Sequence, residues 1–580
     1  VWRVFCRLHN WLLRYLLFSK ARSTGPFSNA FSTIMTNFFE THRGVLLAVV
    51  FTVAVFITAP GIGNHTGPTS KDEYHRVFRT ALTMIEEDVW LVPFLDGSPR
   101  IEKPPLLNWL TRWNFERFGV SLRSARSIVV IFAALLSAVV LAIGLELTND
   151  IRYGVTAAAI ALSNIGIAIH GRILLPDVPT AALSALAFLF FLKWSKTGLT
   201  KFLPISAIFL AVSFLTKGPV ALVVFGSGVL ALLITSPATR AFLRAKIPQL
   251  ALALVLFTSL SLIWYAHVYF QFTDHTIKVM EIEFEARRFG RFHLDPLLQF
   301  AALFFPWTVL LVGLIWRYFR GGFTSDNGQT QMLLLWTVLS LMPFLFIRSF
   351  DRYLVGTLVP TSLFCASGID ALKSLRSGRR VAVLLSVLFV GLVIACCYWF
   401  KIAGYEVILL SLLIIGFAWI WSSAQHFWRL AAISALLWCA LIGFAFPTLG
   451  VNAMPPALLD KIQGRMVFLF KDPQPAMLPM IAGESLDYVA ELSKAVSYCS
   501  DRPLVFSLER HIDTLKRQAW AWDLGLQEVY RYKSILAVEK IAKSAYDDFA
   551  ASELRAALKT RSLEPLKSDI VLYESVCAST

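Results

Sequence analysis

Residues 128–147 read Ile-Val-Val-Ile-Phe-Ala-Ala-Leu-Leu-Ser-Ala-Val-Val-Leu-Ala-Ile-Gly-Leu-Glu-Leu. A helix needs about 20 apolar residues to cross a bilayer core, and here the charge, Glu146, falls at the very end of the run. Gly44–Ile62, Gln249–Phe270, Pro296–Trp316, Val381–Phe400, Val407–Trp421 and Leu430–Phe446 repeat the pattern. Shorter or more polar runs lie at Gly154–Ile169, Pro179–Trp194, Phe202–Leu215, Pro219–Thr235, Met332–Ile347 and Leu354–Ile369, for about thirteen spans in all. Composition agrees. Hydrophobic residues make up 56% of the chain and charged residues 16%, with a mean hydropathy of +0.62, against about 45–50% and 25% in soluble domains. The fold class expected is a polytopic α-helical membrane protein.

An odd number of spans puts the two ends on opposite sides, and the positive-inside rule orients them. Arg3, Arg7, Arg14, Lys20, Arg22 and Arg43 precede the first span, and Lys193/Lys196/Lys201, Arg240/Arg244/Lys246, Arg317/Arg320 and Lys373/Arg376/Arg379/Arg380 fall in connections on the same side. That side is the cytoplasm. Residues 1–43 form a basic cytoplasmic segment whose first 22 residues read either as an amphipathic helix on the leaflet or as a disordered tail. With no cleavage site apparent, the first span reads as a retained anchor. The membrane part then covers 44–450, with a long first external loop at 63–126. Residues 451–580 are polar enough for a small external α/β domain, with helices near Glu484–Tyr498 and Arg510–Trp522 and strands near Leu504–Ser507 and Ile570–Glu574. The net charge of +16 fits an anionic lipid surface; no basic module interleaved with aromatics points to nucleic acid. Cys499 and Cys577 fall in the tail, where an oxidising compartment would permit a disulfide and two buried thiols fit the residues equally well.

This orientation gathers the ionisable groups on one face, which points to a site. Ser70-Lys71-Asp72-Glu73 opens a helical pattern, so its acids serve either as a helix start or as site carboxylates. In Glu102-Lys103-Pro104-Pro105 the paired prolines stiffen the backbone that carries Lys103, and a cation beside a helix start suits phosphate. Asp177, after His170-Gly171-Arg172, caps the next helix. Lys217 sits at a helix stop, Thr216-Lys217-Gly218-Pro219. Asp351, Arg352 and Tyr353 crowd one short loop with Arg348.

Taken in order, Asp72-Glu73, EKPPLLNWL (102–110), LLPD (174–177), FLTKGPVAL (214–222), FFPW (304–307) and DRYLVGTLVP (351–360) resemble the bacterial ArnT-like glycosyltransferases of the GT-C superfamily, which are related to the protein O-mannosyltransferases. The resemblance covers most of the membrane part. It implies a GT-C fold and an inverting transfer of a sugar from a polyprenyl-phosphate donor to an envelope acceptor, lipid A or a related glycolipid, at the periplasmic face of the inner membrane. It assigns catalytic carboxylates to Asp72 and Asp177 and donor-phosphate contacts to Lys103, Arg352 and Tyr353. Glu73, Glu102, His75, Arg76, Arg172 and Lys217 stand in support. The physics of the reaction suits these types: cations stabilise the leaving phosphate, and a carboxylate orients or deprotonates the attacking group.

Two departures stand out. His75 occupies the place where the family commonly has Arg, and Arg76 follows one residue later, a displacement that turns the cation by about 100° around a helix. The loop at Glu281-Ile282-Glu283-Phe284-Glu285 lacks the His of a Glu-His pair linked to a divalent metal in some members; His275 or His293 would have to substitute. No cofactor is required by the resemblance. Acceptors such as a protein hydroxyl or a polysaccharide stay open, as does an anionic-lipid transporter or flippase, which would place charges near the midplane in repeated halves.

Overall fold

The computed structural model describes residues 41–580 apart from 67, 70, 96–97, 287–289, 291, 321–326, 348, 374–394, 396–397, 402–426, 472–477, 479–486, 537–550 and 578–580. The expected span Val407–Trp421, most of Val381–Phe400, the amphipathic segment at 1–22, and the side chains of His75 and Cys499 lie outside the described residues. The chain divides into two compact units, Val1–Val49 and Val50–Thr580, and the second contains every site residue expected from the sequence.

Helices dominate, and their ends follow local sequence. Ser121 and Ser124 form a reciprocal capping box that starts Leu122–Thr148, and Asn149 closes that helix in the left-handed conformation, an arrangement its short polar side chain tolerates. Asp150 accepts from Arg152 N to start Ile151–Leu162, and Asn164 accepts from Ile167 N to start Ile165–His170. Among the described residues four helical stretches are long and apolar enough to cross a membrane, with Phe202–Thr235 counted as one through its break at Gly218–Val220, or five when the bent pair Asp295–Leu303 and Thr308–Phe319 counts as one span. Ile247–Gln271 exposes Leu252, Ile263 and Phe270, as a helix facing lipid should.

Helices Asp177–Thr197, Phe202–Lys217 and Ala221–Thr235 pack as a triplet. Ser213 bonds to the Thr180 carbonyl while Ser206 bonds to that of Ala187, so Phe202–Lys217 runs antiparallel to Asp177–Thr197. Ser184 reaches both Ser213 Oγ and the Ala221 carbonyl. The reversal between these two antiparallel helices falls at residues 198–201, where Gly198 ends the first helix with a φ of 70° that suits a residue without a Cβ. This hairpin brings Asp177 and Lys217 to the same end of the bundle.

Pro296–Trp316, expected as one span, is instead the two helices Asp295–Leu303 and Thr308–Phe319, bent by 114°. The break is held by partners distant in sequence: Trp307 Nε1 donates to Ser163 Oγ at 2.9 Å and Ile165 N donates to the Phe305 carbonyl at 3.0 Å.

In the first loop a short hairpin pairs β1 (Phe94–Leu95) with β2 (Ser98–Pro99). The tail carries β3 (Val467–Phe470), β4 (Asp487–Val489), β5 (Leu504–Leu508), β6 (Leu524–Ser534) and β7 (Ser568–Cys577) in one mixed sheet, ordered β4-β3-β5-β7-β6. β3 runs parallel to β4 and β5, and the remaining pairs are antiparallel. All four residues of β3 are buried, Val467 and Leu469 beneath Leu458 and Ile462, Phe468 and Phe470 beneath Leu515 and Ala519. Helices thus cover both faces, an α/β arrangement. The helix expected near Glu484–Tyr498 is corrected: its described part is β4 followed by the short helix Ser493–Val496. Three residues paired with β3 carry too little pattern to announce a strand. Cys577 is disulfide-bonded.

Candidate functional site

The first loop enters its helix at Lys71–Glu73 and continues through a π-turn at Tyr74–Phe78 into Arg79–Glu86; such wide turns recur at functional sites. Asp72 points into a cleft whose lining includes Arg76, Lys103, Pro104, Asn108, Asp177, Lys217, Arg352 and Tyr353. Four cations therefore face two carboxylates, an excess of positive charge fitted to an anion.

Arg352 joins the two acids. Its Nη2 donates to Asp72 Oδ2 at 2.6 Å, and its Nε lies 3.8 Å from Asp177 Oδ2. Burial disfavours the guanidinium charge, yet Asp177 and Asp72 outweigh that and raise its pKa above the ordinary value. Lys217 Nζ donates to Asp177 Oδ1 and sits 3.6 Å above the Tyr353 ring, a cation–π contact that fixes the ammonium. Asp177 Oδ2 is buried and accepts no hydrogen bond among the described residues. His170 Nε2 approaches Asp351 Oδ2 at 3.3 Å beside this cluster.

Arg76 also reaches the site, with Nε 3.1 Å from Asp72 Oδ1. The expectation that its one-place displacement turns it aside is corrected, because positions four apart share a helix face as closely as positions three apart. Lys103 donates to both oxygens of Glu283 at 3.3 and 3.2 Å and to the Glu102 carbonyl at 3.2 Å.

Three expected residues stand elsewhere. Glu102 is exposed and contributes its carbonyl. Glu73 is fully buried against Arg126. Arg172 is buried too, and its guanidinium donates to the carbonyls of Ala168, Pro60 and Ile57. Sequence reasoning missed Arg126 and the partnership of Glu283 with Lys103. Among the described residues no group of three or more His, Cys, Asp or Glu side chains is placed to hold a metal ion.

Two crystal structures of ArnT from Cupriavidus metallidurans, one bound to undecaprenyl phosphate and one in the apo state, match this chain with TM-scores of 0.63 and 0.61. Each is 15% identical in sequence, and each match covers 92% of this chain and 98% of ArnT. The chain has the GT-C membrane fold of ArnT. Residues 102–264 match the family model of dolichyl-phosphate-mannose-protein mannosyltransferases. An uncharacterized protein of Aquifex aeolicus (strain VF5) is 32% identical over 156 residues, 27% of this chain and 35% of that protein, so the match spans about a third of the relative's length.

Within the ArnT fold the family match takes in Lys103, Asp177 and Lys217 but stops short of Asp72, Glu283 and Arg352. Folding closes that gap. Arg352 bonds Asp72 across 280 positions of chain and its Nε lies 3.8 Å from Asp177 Oδ2, which links the mannosyltransferase-like stretch to Asp72 and to the segment Asp351–Thr357.

Proposed function

We propose that this chain is an inverting glycosyltransferase that moves a sugar from a polyprenyl-phosphate donor to a cell-envelope acceptor, lipid A or a related glycolipid, at the periplasmic face of the inner membrane. The observation that carries the proposal is the single cleft in which Arg352 bridges Asp72 and Asp177 while Lys103 and Lys217 stand alongside. A phosphate leaving group needs fixed cations, and Arg352, Lys217 and Lys103 are each held by a carboxylate, Asp72, Asp177 and Glu283 in turn. The ArnT likeness supports a lipid-linked phosphate as donor, since one of the matched ArnT structures contains undecaprenyl phosphate.

In the proposed reaction the acceptor oxygen attacks the anomeric carbon from the face opposite the phosphate. The bond from that carbon to the phosphate oxygen breaks, and its electron pair leaves with the polyprenyl phosphate, which Lys103 and Arg352 neutralise. Where the acceptor is a hydroxyl, its proton passes to Asp72. Where the acceptor is itself a phosphate, no base is needed, and Asp72 orients the reactants. Asp177 holds Lys217 through Oδ1 and faces Arg352 with Oδ2, and its carboxylate offsets positive charge developing on the sugar ring. A protein hydroxyl as acceptor has support from the mannosyltransferase family match. A transporter is less well supported, because Asp177 and Lys217 sit at helix ends rather than within a span.

Asp72→Asn tests the reading. Transfer of labelled sugar by the purified protein is expected to be abolished while membrane insertion and donor binding persist. Full transfer by this variant would remove Asp72 from the mechanism. Mass spectrometry of envelope lipids from a deletion strain would name sugar and acceptor.

A further inference from the structure

Asp72 and Asp177 come from elements far apart in the chain, and the side chain that joins them, Arg352, is also the one the donor phosphate would engage. Their spacing needs a support outside the cleft. Neighbouring residues on a helix diverge by about 100°, so while Asp72 faces the cleft, Glu73 turns inward and is fully buried. There its Oε1 and Oε2 accept from Arg126 Nε at 2.6 Å and Nη2 at 2.8 Å, a two-pronged bond. Glu73 Oε1 also accepts from the Leu174 backbone N–H at 2.9 Å. Leu174 belongs to the turn that delivers Asp177, with Pro176 at the helix start.

Resting on the transferase reading, we propose that the buried Glu73–Arg126 pair is a positioning device that sets the register between Asp72 and Asp177. One carboxylate grips both elements. Arg126 extends the grip, since it also donates to the carbonyls of Ile62, Asn64 and Pro68. Arg172, just before Leu174, holds the preceding carbonyls of Ile57 and Pro60. The carbonyls of Ile57, Pro60, Ile62, Asn64 and Pro68 are thereby held by two guanidinium groups, one on the helix after the loop and one in the turn before Asp177.

A role in stability alone explains this arrangement poorly. A buried ion pair gains little over well-packed apolar side chains of similar volume, because both charges must be stripped of water. What a planar, bidentate pair adds is direction and distance. Transfer chemistry is sensitive to both, and a misplacement of about 1 Å costs on the order of a hundredfold in rate.

The test uses the full chain in lipid nanodiscs, with a polyprenyl-phosphate sugar as donor and polyprenyl phosphate as binding probe. Glu73→Gln combined with Arg126→Met removes the pair without leaving either charge buried alone. Turnover per probe-binding site is expected to fall by about ten- to a hundredfold with the probe Kd unchanged, and Arg126→Lys should give a smaller loss of the same kind. Wild-type turnover in the double variant overturns the proposal. So does a loss of binding in step with turnover, or a double variant that no longer folds, since either assigns the pair to holding the fold. If the wild-type protein neither binds the probe nor transfers sugar, the transferase reading fails first and the positioning role falls with it.

Discussion

Replacing Glu283 by Gln should tighten donor binding. Lys103 follows Glu102 and precedes Pro104-Pro105, so its backbone is stiff, and its ammonium is engaged by Glu283 at 3.2 and 3.3 Å. Both side chains are largely withdrawn from solvent, at 15% and 28% exposure. A donor phosphate that binds Lys103 must displace this carboxylate, and the cost of displacement is subtracted from the donor's affinity. Partly exposed ion pairs contribute about 0.2–1 kcal/mol. At about 1.4 kcal/mol per tenfold, Glu283→Gln should lower the Kd for polyprenyl phosphate by roughly 1.5- to fivefold. Lys103→Ala removes a charge-assisted hydrogen bond worth about 1.5–3 kcal/mol, and should raise the Kd by roughly ten- to a hundredfold. The assay is equilibrium binding of radiolabelled polyprenyl phosphate in nanodiscs, with the double variant included. In the Lys103→Ala background the Glu283 substitution should have no effect. An unchanged or weakened Kd for Glu283→Gln, with Lys103→Ala still damaging, would refute competition between Glu283 and phosphate.

Other consequences are equally specific. Asp177→Asn strands the Lys217 ammonium in a buried position, where Asp177 and Lys217 are 3% and 4% exposed, and removing one partner of such a pair costs about 3–5 kcal/mol; thermal unfolding in detergent should show a larger drop than for Asp72→Asn, and equal midpoints would contradict it. A methyl group on Gly356 would run into Val224 Cγ2, so Gly356→Ala should shift the Arg352 segment and depress transfer, with Val224→Ala restoring part of it; no loss in the single variant would show that the segment yields without consequence. Asp351 titrates below the ordinary carboxylate range because burial, which acts to raise it, is outweighed by nearby His170 and by Arg352. Its stabilising contribution is present above the unfolded-state pKa, about 3.9, and is lost as pH falls through the lower folded value. Carboxyl-carbon NMR of labelled Asp351 should follow that titration, and His170→Ala should move it upward.

The site was legible where neighbouring residues carry the information. Asp72, Lys103, Asp177, Lys217, Arg352 and Tyr353 each sit at a local break, a helix end or a proline turn, that the sequence spells out, and all six line one cleft. Glu283 and Arg126 belong to no such break. Their partners lie 180 and 53 positions away, and no local pattern encodes a contact made only after folding. The bend within 295–319 was hidden for the same reason: apolar composition extends across it, while the groups that hold it, Ser163 and Ile165, come from another helix pair. The short strand β4 was misread because it is defined by pairing with β3, which its own three residues do not announce.

At Asp177 and Lys217 the sequence offered helix ends as the alternative to a functional site; Pro176 rather than Asp177 takes the N-cap position, with no side-chain cap bond, and the hairpin brings both end charges to the cleft. Asp177 opens its helix and Lys217 ends the next, so each charge is stabilised by its own helix dipole, by about 0.3–1 kcal/mol at an exposed end and more when partly buried. Antiparallel packing sets the start of one helix beside the end of the other, and the two end charges meet as an ion pair. Arg352 then enters from the segment Asp351–Thr357, with its charge sustained by Asp177 and Asp72 together. Charges that would be costly near the bilayer midplane are tolerated at helix ends, and the same ends supply a preformed polar environment. A cleft suited to an anionic headgroup therefore requires little beyond bringing charged helix ends together, which is what the reversal at Gly198 does.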